Sequence, residues 1–155
     1  MSEPSPAGPI GLLYISTSNL RLPDEAAHEV DSIVNWSRRR NQAIGVTGAL
    51  VFTERRFAQY LEGPACGVDE LMASISRDAR HRDIDLIFRK PIDRPRFETW
   101  ALAYAGPSTF VAGHVLAAAD ASGAGSRAKQ ADRLVETMSQ FVQAQVMEQR
   151  RRSGG

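Results

Sequence analysis

The segment from residue 41 to residue 64, NQAIGVTGALVFTERRFAQYLEGP, constrains the fold more than any other part of the chain. From Val46 to Glu54 the residues alternate with the two-residue period of a strand. One face of that strand carries Val46, Gly48, Leu50 and Phe52. The charged run 54–56 predicts a tight turn, residues 57–62 the partner strand, and Gly63–Pro64 its end. The segment therefore predicts a two-strand hairpin.

Two side-chain amides lie where plain core packing would not need them. Gln59 lies inside the second strand between apolar neighbours, and Asn41 lies just before the first strand. An amide in an apolar strand must find hydrogen-bond partners, because burying it without them costs free energy. We therefore expect the partners of these amides to decide what the protein does.

The other elements extend the hairpin into an α+β fold. Apolar runs predict strands at 10–16, 84–90 and 100–104. Helical spacing predicts one helix from Pro23 to Arg40–Asn41 and a second that contains Val68 and ends near Arg80–His81. The order of strands and helices is that of the ferredoxin-like βαββαβ fold with an extra fifth strand and a C-terminal helix. Right-handed crossovers would place the first two helices on one face of the sheet.

Composition divides the chain into four parts. Residues 1–9 form a disordered leader, 10–105 the folded domain, and 106–125 a linker rich in Ala, Gly and Ser that contains one short helix. Residues 126–150 predict a terminal helix. Its apolar stripe contains Ala131, Leu134, Val135, Met138, Phe141, Val142 and Val146. Two roles stay open and compatible for this helix: packing on the uncovered face of the sheet, and mediating a dimer.

Charge and cysteine content narrow the class of protein. The 155 residues carry a formal net charge of +1, so no global field favours nucleic acid or an anionic membrane. The apolar runs are too short to span a bilayer, and the leader lacks the pattern of a signal peptide. The single cysteine, Cys66, excludes an internal disulfide framework and indicates a reducing cytoplasm. We expect its thiol to be a buried or half-buried filler.

Five segments together resemble one known family. They are LLYIST (12–17), RNQAIGVTGALVF (40–52), FAQYLEGP (57–64), ISRDARHRDIDL (75–86) and RFETWAL (96–102). In this order and spacing the chain resembles a BLUF domain, a blue-light sensor that binds FAD without a covalent bond. The resemblance covers roughly residues 10 to 105 and implies the same fold as the periodicity.

The resemblance implies a role for individual side chains. Tyr14 matches the photochemical tyrosine, Gln59 the glutamine between that tyrosine and the flavin, and Asn41 the asparagine on the polar edge of the isoalloxazine. Trp100 matches a tryptophan on the last strand that many members carry. Taken singly, Tyr14 has the alternative of a packing residue, Asn41 that of a helix cap, and Gln59 that of a backbone-bonded or edge residue.

At several other positions the resemblance implies a contact with the cofactor, and a surface role is the alternative. Arg80 and His81 match a pair that borders the cofactor, and the alternative is a solvated helix end. The run 38–40 either meets the cofactor's phosphates or forms the solvated end of the first helix. Leu102 stands where the family often has methionine, so it keeps the packing but lacks the thioether.

The resemblance implies a short photoreceptor that is not an enzyme and has no effector domain of its own. Light-driven electron and proton transfer from Tyr14, followed by rearrangement of the Gln59 hydrogen bonds, would signal to a protein partner that the sequence does not name. A homodimer or higher homo-oligomer is expected, without nucleic acid, metal or membrane. A flavin-free ferredoxin-like interaction module is the alternative. A flavin-dependent enzyme is less favoured, because no Gly-rich fingerprint or nucleophile–base pair is present.

Overall fold

The structure is a computed structural model that describes residues 8–19, 32, 35–37, 39–53, 56–97, 101–105, 115, 117–120 and 123–154. These residues form a five-stranded sheet and its helices. The strands are β1 (Ile10–Ser18), β2 (Thr47–Thr53), β3 (Arg56–Gly63), β4 (His81–Pro91) and β5 (Ala101–Ala105). The helices named here are α1 (helical at 32, 35–37 and 39–44), α2 (Ala65–Ser76) and α3 (Ala124–Ser153), and a short helical segment at 115 and 117–120 precedes α3.

The strand order is β4-β1-β3-β2-β5. Neighbouring strands are antiparallel except β2 and β5, which are parallel. This order is the ferredoxin-like arrangement with one strand added beyond β2. The predicted α+β fold with a fifth strand and a C-terminal helix is therefore confirmed.

The two faces of the sheet carry separate apolar clusters, because side chains alternate along each strand. On one face Tyr14, Leu50 and Leu61 pack with Val68 and Leu71 of α2. On the other face the sheet packs against α3. That second cluster contains Leu13, Ala58, Tyr60, Leu134 and Met138. Helix α3 thus covers the face opposite α2.

The first helix ends later than the sequence predicted. It continues through Ile44 instead of ending at Arg40–Asn41. Gly45 follows it with φ of 73°, and the N–H of Val46 donates to the Asn41 carbonyl at 2.9 Å. Such a left-handed glycine end satisfies the last carbonyls of a helix. Asn41 therefore lies inside the last turn of α1.

The second helix ends earlier than predicted. It stops at Ser76, and His81 already begins β4, so the prediction that the helix runs to Arg80–His81 was wrong. The carboxylate of Asp78 accepts the Arg80 backbone N–H at 2.9 Å, which stabilises a turn in place of another helical turn. Cys66 was also predicted wrongly: its side chain is exposed in the first turn of α2.

Several sequence predictions lie outside the described residues. These are the leader at 1–7, most of the first helix at 20–31, Trp100, and the linker at 106–114. Val115 is buried, and residues 117–120 are helical. Within the described part of the chain, no helix is long and apolar enough to cross a bilayer.

Candidate functional site

A cleft of about 310 Å³ lies between α1, α2 and the sheet, at the lower end of the range for small-molecule sites. The strands supply Tyr14, Leu50, Phe57 and Gln59. Helix α1 supplies Ser32, Trp36, Ser37 and Asn41, and α2 supplies Leu71, Ser74 and Ile75. Asp78, Arg80 and His81 complete the lining. The cleft therefore combines apolar side chains with a larger number of polar and charged ones.

Helical spacing explains why α1 presents four residues to the cleft. Positions 32 and 36 lie close together around a helix with 3.6 residues per turn, as do 37 and 41, so the face of α1 that lines the cleft spans about half of its circumference. Exposure rises along that face: Asn41 is 2% exposed and Trp36 is 54% exposed. The cleft consequently has a buried end at Asn41 and an open end at Trp36.

Tyr14 and Gln59 meet at the buried end of the cleft. They are direct partners in the antiparallel pairing of β1 and β3. The Tyr14 hydroxyl donates to Gln59 Oε1 at 2.5 Å, and the two residues are 3% and 5% exposed. Burial, and then the charge of Asp78, raise the pKa of the Tyr14 phenol. The phenol therefore keeps its proton and directs it at the amide oxygen.

His81 closes the cleft beside Tyr14 as the first residue of β4. Its Nε2 lies 2.7 Å from the Ile75 carbonyl and its Nδ1 lies 2.8 Å from Ser16 Oγ. A carbonyl only accepts, so Nε2 carries a hydrogen, and in the neutral ring Nδ1 accepts from the Ser16 hydroxyl. The ring also meets Tyr14 edge-on, with centroids 5.9 Å apart. His81 thereby ties β1 and β4 to the last turn of α2.

Arg80 borders the same cleft but is engaged with Asp78. Its Nε and Nη2 donate to the Asp78 carboxylate at 2.9 Å and 2.5 Å. These hydrogen bonds from Arg80 hold the pKa of Asp78 below its ordinary value. The pair therefore brings little net charge to the cleft.

Arg40 bridges the two helices beside the cleft. Its Nη1 donates to Ser74 Oγ at 3.0 Å, its Nη2 lies 3.8 Å from Glu70, and its guanidinium lies 5.1 Å from the centre of the Trp36 ring. Arg39 is exposed and Arg38 lies outside the described residues. Of the run 38–40, Arg40 is thus a packed residue instead of a solvated one.

Leu102 lies in the last strand, β5, and Trp100 directly precedes that strand in the sequence. Trp100 lies outside the described residues. The backbone at Leu102 pairs with Leu50 of β2, whose side chain lines the cleft. Strand β5 is therefore adjacent to the strand that forms the floor of the site.

Two buried polar residues, one beside the cleft and one on the opposite face of the sheet, were missed by the sequence reasoning. Ser16, which holds His81, lies in β1 and is 1% exposed. Glu62, on the α3 face of the sheet, is also 1% exposed. Its carboxylate accepts the backbone N–H groups of residues 96 and 97 at 2.9 Å and 2.6 Å and the Tyr60 hydroxyl at 3.2 Å, while the Thr47 hydroxyl donates to the Phe97 carbonyl at 2.9 Å. A strand ending in Glu-Gly-Pro gives no local signal for such distant donors.

The chain is similar to a known family and to several known proteins. Residues 10–103 match the family described as "BLUF: Sensors of blue-light using FAD". The photoactivated adenylate cyclase subunit alpha of Euglena gracilis is 36% identical over 89 residues, which are 54% of this chain and 8% of that protein. The chain thus spans a small fraction of that relative.

Solved structures are similar over more of the chain. BlrB, a BLUF protein in its dark state, has a TM-score of 0.71 and 28% identity, covering 87% of this chain and 98% of BlrB. Klebsiella pneumoniae BlrP1, solved with FMN and cyclic diGMP, has a TM-score of 0.54 and 30% identity over 61% of this chain and 25% of that chain.

Proposed function

The chain belongs to the BLUF family of blue-light sensors, and from this premise we propose that it is a photoreceptor whose cleft binds a flavin without a covalent bond. Tyr14 and Gln59 would act as its photochemical pair, and Asn41, Arg80 and His81 would border the cofactor. The observation that carries the proposal is the buried hydrogen bond of 2.5 Å from Tyr14 Oη to Gln59 Oε1.

The residues around the cleft suit a flavin. Leu50, Leu71 and Ile75 supply apolar walls for a flat tricyclic ring. The side-chain amide of Asn41 offers one donor and one acceptor group at the buried end, which complements the carbonyl and N–H of an imide edge. The cation of Arg80 is already paired with Asp78, so the deep cleft suits a neutral ring better than an anion.

A bound flavin supplies the absorption of blue light and, once excited, an acceptor for one electron. Tyr14 would be the donor of that electron, and its hydroxyl proton is already directed at Gln59 Oε1. Because burial keeps the phenol neutral, electron and proton are both available from one side chain. The return of both would leave the flavin and Tyr14 chemically unchanged, so no net redox chemistry would occur, while the Gln59 amide could be left in a new arrangement.

Gln59 converts this event into a lasting change of hydrogen bonds. Its amide has a donor end and an acceptor end, so it can bond Tyr14 in two arrangements. Rotation of the amide or relocation of its proton would each give the second arrangement. Either arrangement biases the surrounding structure by only the difference between hydrogen bonds, on the order of 1–3 kcal/mol.

The signal would leave through the sheet. Strand β2, which carries Leu50, pairs with β5, and α3 packs on the opposite face of the same strands. We therefore assign the output to β5 and α3, where a protein effector or a second copy of the chain would bind. Equal hydrogen-exchange protection of α3 in light and darkness would count against this route.

The decisive variant is Tyr14→Phe, with Tyr60→Phe as its matched control. Both tyrosines are buried, but Tyr60 packs on the α3 face and bonds Glu62. Tyr14→Phe should keep bound flavin and lose the reversible red shift of its absorption, whereas Tyr60→Phe should keep both. A normal light response in Tyr14→Phe would refute the assignment.

A further inference from the structure

We infer that Glu62 is a positioning residue of the light response, because its carboxylate joins the strand that carries Gln59 to the chain that enters β5. This inference rests on the proposed function and deepens it by naming the side chain through which the output strand is held. The carboxylate accepts the Tyr60 hydroxyl on the α3 face of the sheet, and Glu62 does not line the cleft. Its role is therefore separate from holding a cofactor.

Glu62 links two strands that are not neighbours in the sheet. Strand β2 lies between β3 and β5, so no backbone pairing joins β3 to β5. Glu62 of β3 nevertheless accepts the backbone N–H groups of Arg96 and Phe97, at 2.9 Å and 2.6 Å. Gln59 lies three residues earlier in β3, about 10 Å away along a strand at about 3.3 Å per residue. A shift of β3 therefore reaches the entry of β5 through one side chain, without passing along β2.

Phe97 is the point at which this entry is held. Its N–H donates to Glu62, and its carbonyl accepts the Thr47 hydroxyl at 2.9 Å. Thr47 and Glu62 are direct partners in the pairing of β2 and β3, so one cross-strand pair holds both polar groups of the Phe97 backbone. The Phe97 ring is 2% exposed, and its centroid lies 5.6 Å from that of Tyr60. The chain is thus fixed four residues before Ala101, where β5 begins.

Strand β5 depends on the way in which the chain enters it. It is a five-residue strand at the edge of the sheet, and in the described part of the chain it pairs with β2 alone. Such a strand opens locally at a lower free energy than the central strands do. Hydrogen bonds to an ionised acceptor are stronger than those to a neutral one, so the Glu62 carboxylate is a firm point of attachment.

The test is hydrogen exchange of the full-length, flavin-loaded protein in darkness and under blue light, with the absorption spectrum recorded on the same samples. Wild type should show the reversible red shift together with a change of at least about fivefold in the exchange rate of the β5 amides, the lower end of typical coupling between sites. Glu62→Gln should keep the red shift and reduce that change to less than about twofold, because the Gln amide leaves at least one backbone N–H without its acceptor.

Val68→Ala is the control for a general loss of stability. Val68 is fully buried in α2, belongs to the apolar cluster on the other face of the sheet and does not line the cleft. This variant should keep both the red shift and the change in β5. Thr47→Val decides the question if Glu62→Gln does not fold. It removes only the hydrogen bond to the Phe97 carbonyl and should reduce the change in β5 by about twofold or more.

A full light-induced change in β5 of folded Glu62→Gln would overturn the inference. Loss of the red shift in that variant would overturn it too, since Glu62 would then act on the flavin site itself. A wild-type protein that shows the red shift but no change in β5 would overturn the inference and leave the photochemical proposal intact. A wild-type protein without the red shift would overturn both.

Discussion

Replacing Glu62 by Gln should destabilise the fold without altering the flavin site. The carboxylate accepts two backbone N–H groups, at 2.9 Å and 2.6 Å, and the Tyr60 hydroxyl at 3.2 Å. The Gln amide presents an NH₂ in place of one oxygen, so at least one backbone N–H loses its acceptor. A buried unsatisfied donor costs about 1–3 kcal/mol, and losing the charge at the remaining bond costs about 1 more.

The expected loss of about 2–4 kcal/mol is large beside a typical total of about 5–15 kcal/mol. Urea unfolding followed by circular dichroism should show a midpoint lower by about 1–2 M, since m values are about 1–3 kcal/mol per M. Glu136→Gln is the matched control, because Glu136 is exposed and pairs with the Arg96 side chain at 3.1 Å. It should change stability by no more than about 0.5 kcal/mol. A Glu62→Gln variant as stable as wild type would refute the hydrogen-bond argument.

Three further outcomes are expected. The raised pKa of Tyr14 keeps its phenol neutral in the folded protein, whereas the same phenol ionises above about pH 10 in the unfolded chain. The free energy of unfolding should therefore fall as pH rises above about 10. Tyr14→Phe should reduce that fall, as measured by urea unfolding at pH 9 and pH 11. The pKa of Asp78 is lowered beside Arg80, so its carboxylate contributes stability above about pH 4 that is lost below that pH. Asp78→Asn should therefore reduce the loss of unfolding free energy between pH 5 and pH 3. Leu71→Ala, at a buried wall of the cleft, should cost about 2–5 kcal/mol in urea unfolding and weaken flavin binding; an unchanged midpoint would contradict the packing.

Local patterns were sufficient to predict the sheet. Strands β2 and β3 place alternate side chains in the two apolar clusters on opposite faces of the sheet, and Gly63–Pro64 marks the end of β3 as expected. The face containing Leu50 and Phe52 is the face that packs against α2. These features depend on the two-residue period of a strand and on turn residues, which are both visible within a short window.

Features that depend on distant partners were not predictable in the same way. The end of α2 is determined by the turn in which Asp78 bonds Arg80, whereas the basic residues there resembled the end of a helix. Glu62 is buried because backbone donors 34 and 35 residues away reach it. The Arg40 side chain is partly buried because its contacts with Ser74 and Trp36 hold it between two helices.

The most direct test of the central claim is the absorption spectrum of the purified protein before and after blue illumination. The pairing of Tyr14 with Gln59 at the buried end of the cleft predicts a bound flavin whose spectrum shifts slightly to the red in light and returns in darkness. A colourless protein that takes up no flavin, or a bound flavin whose spectrum light leaves unchanged, would contradict it.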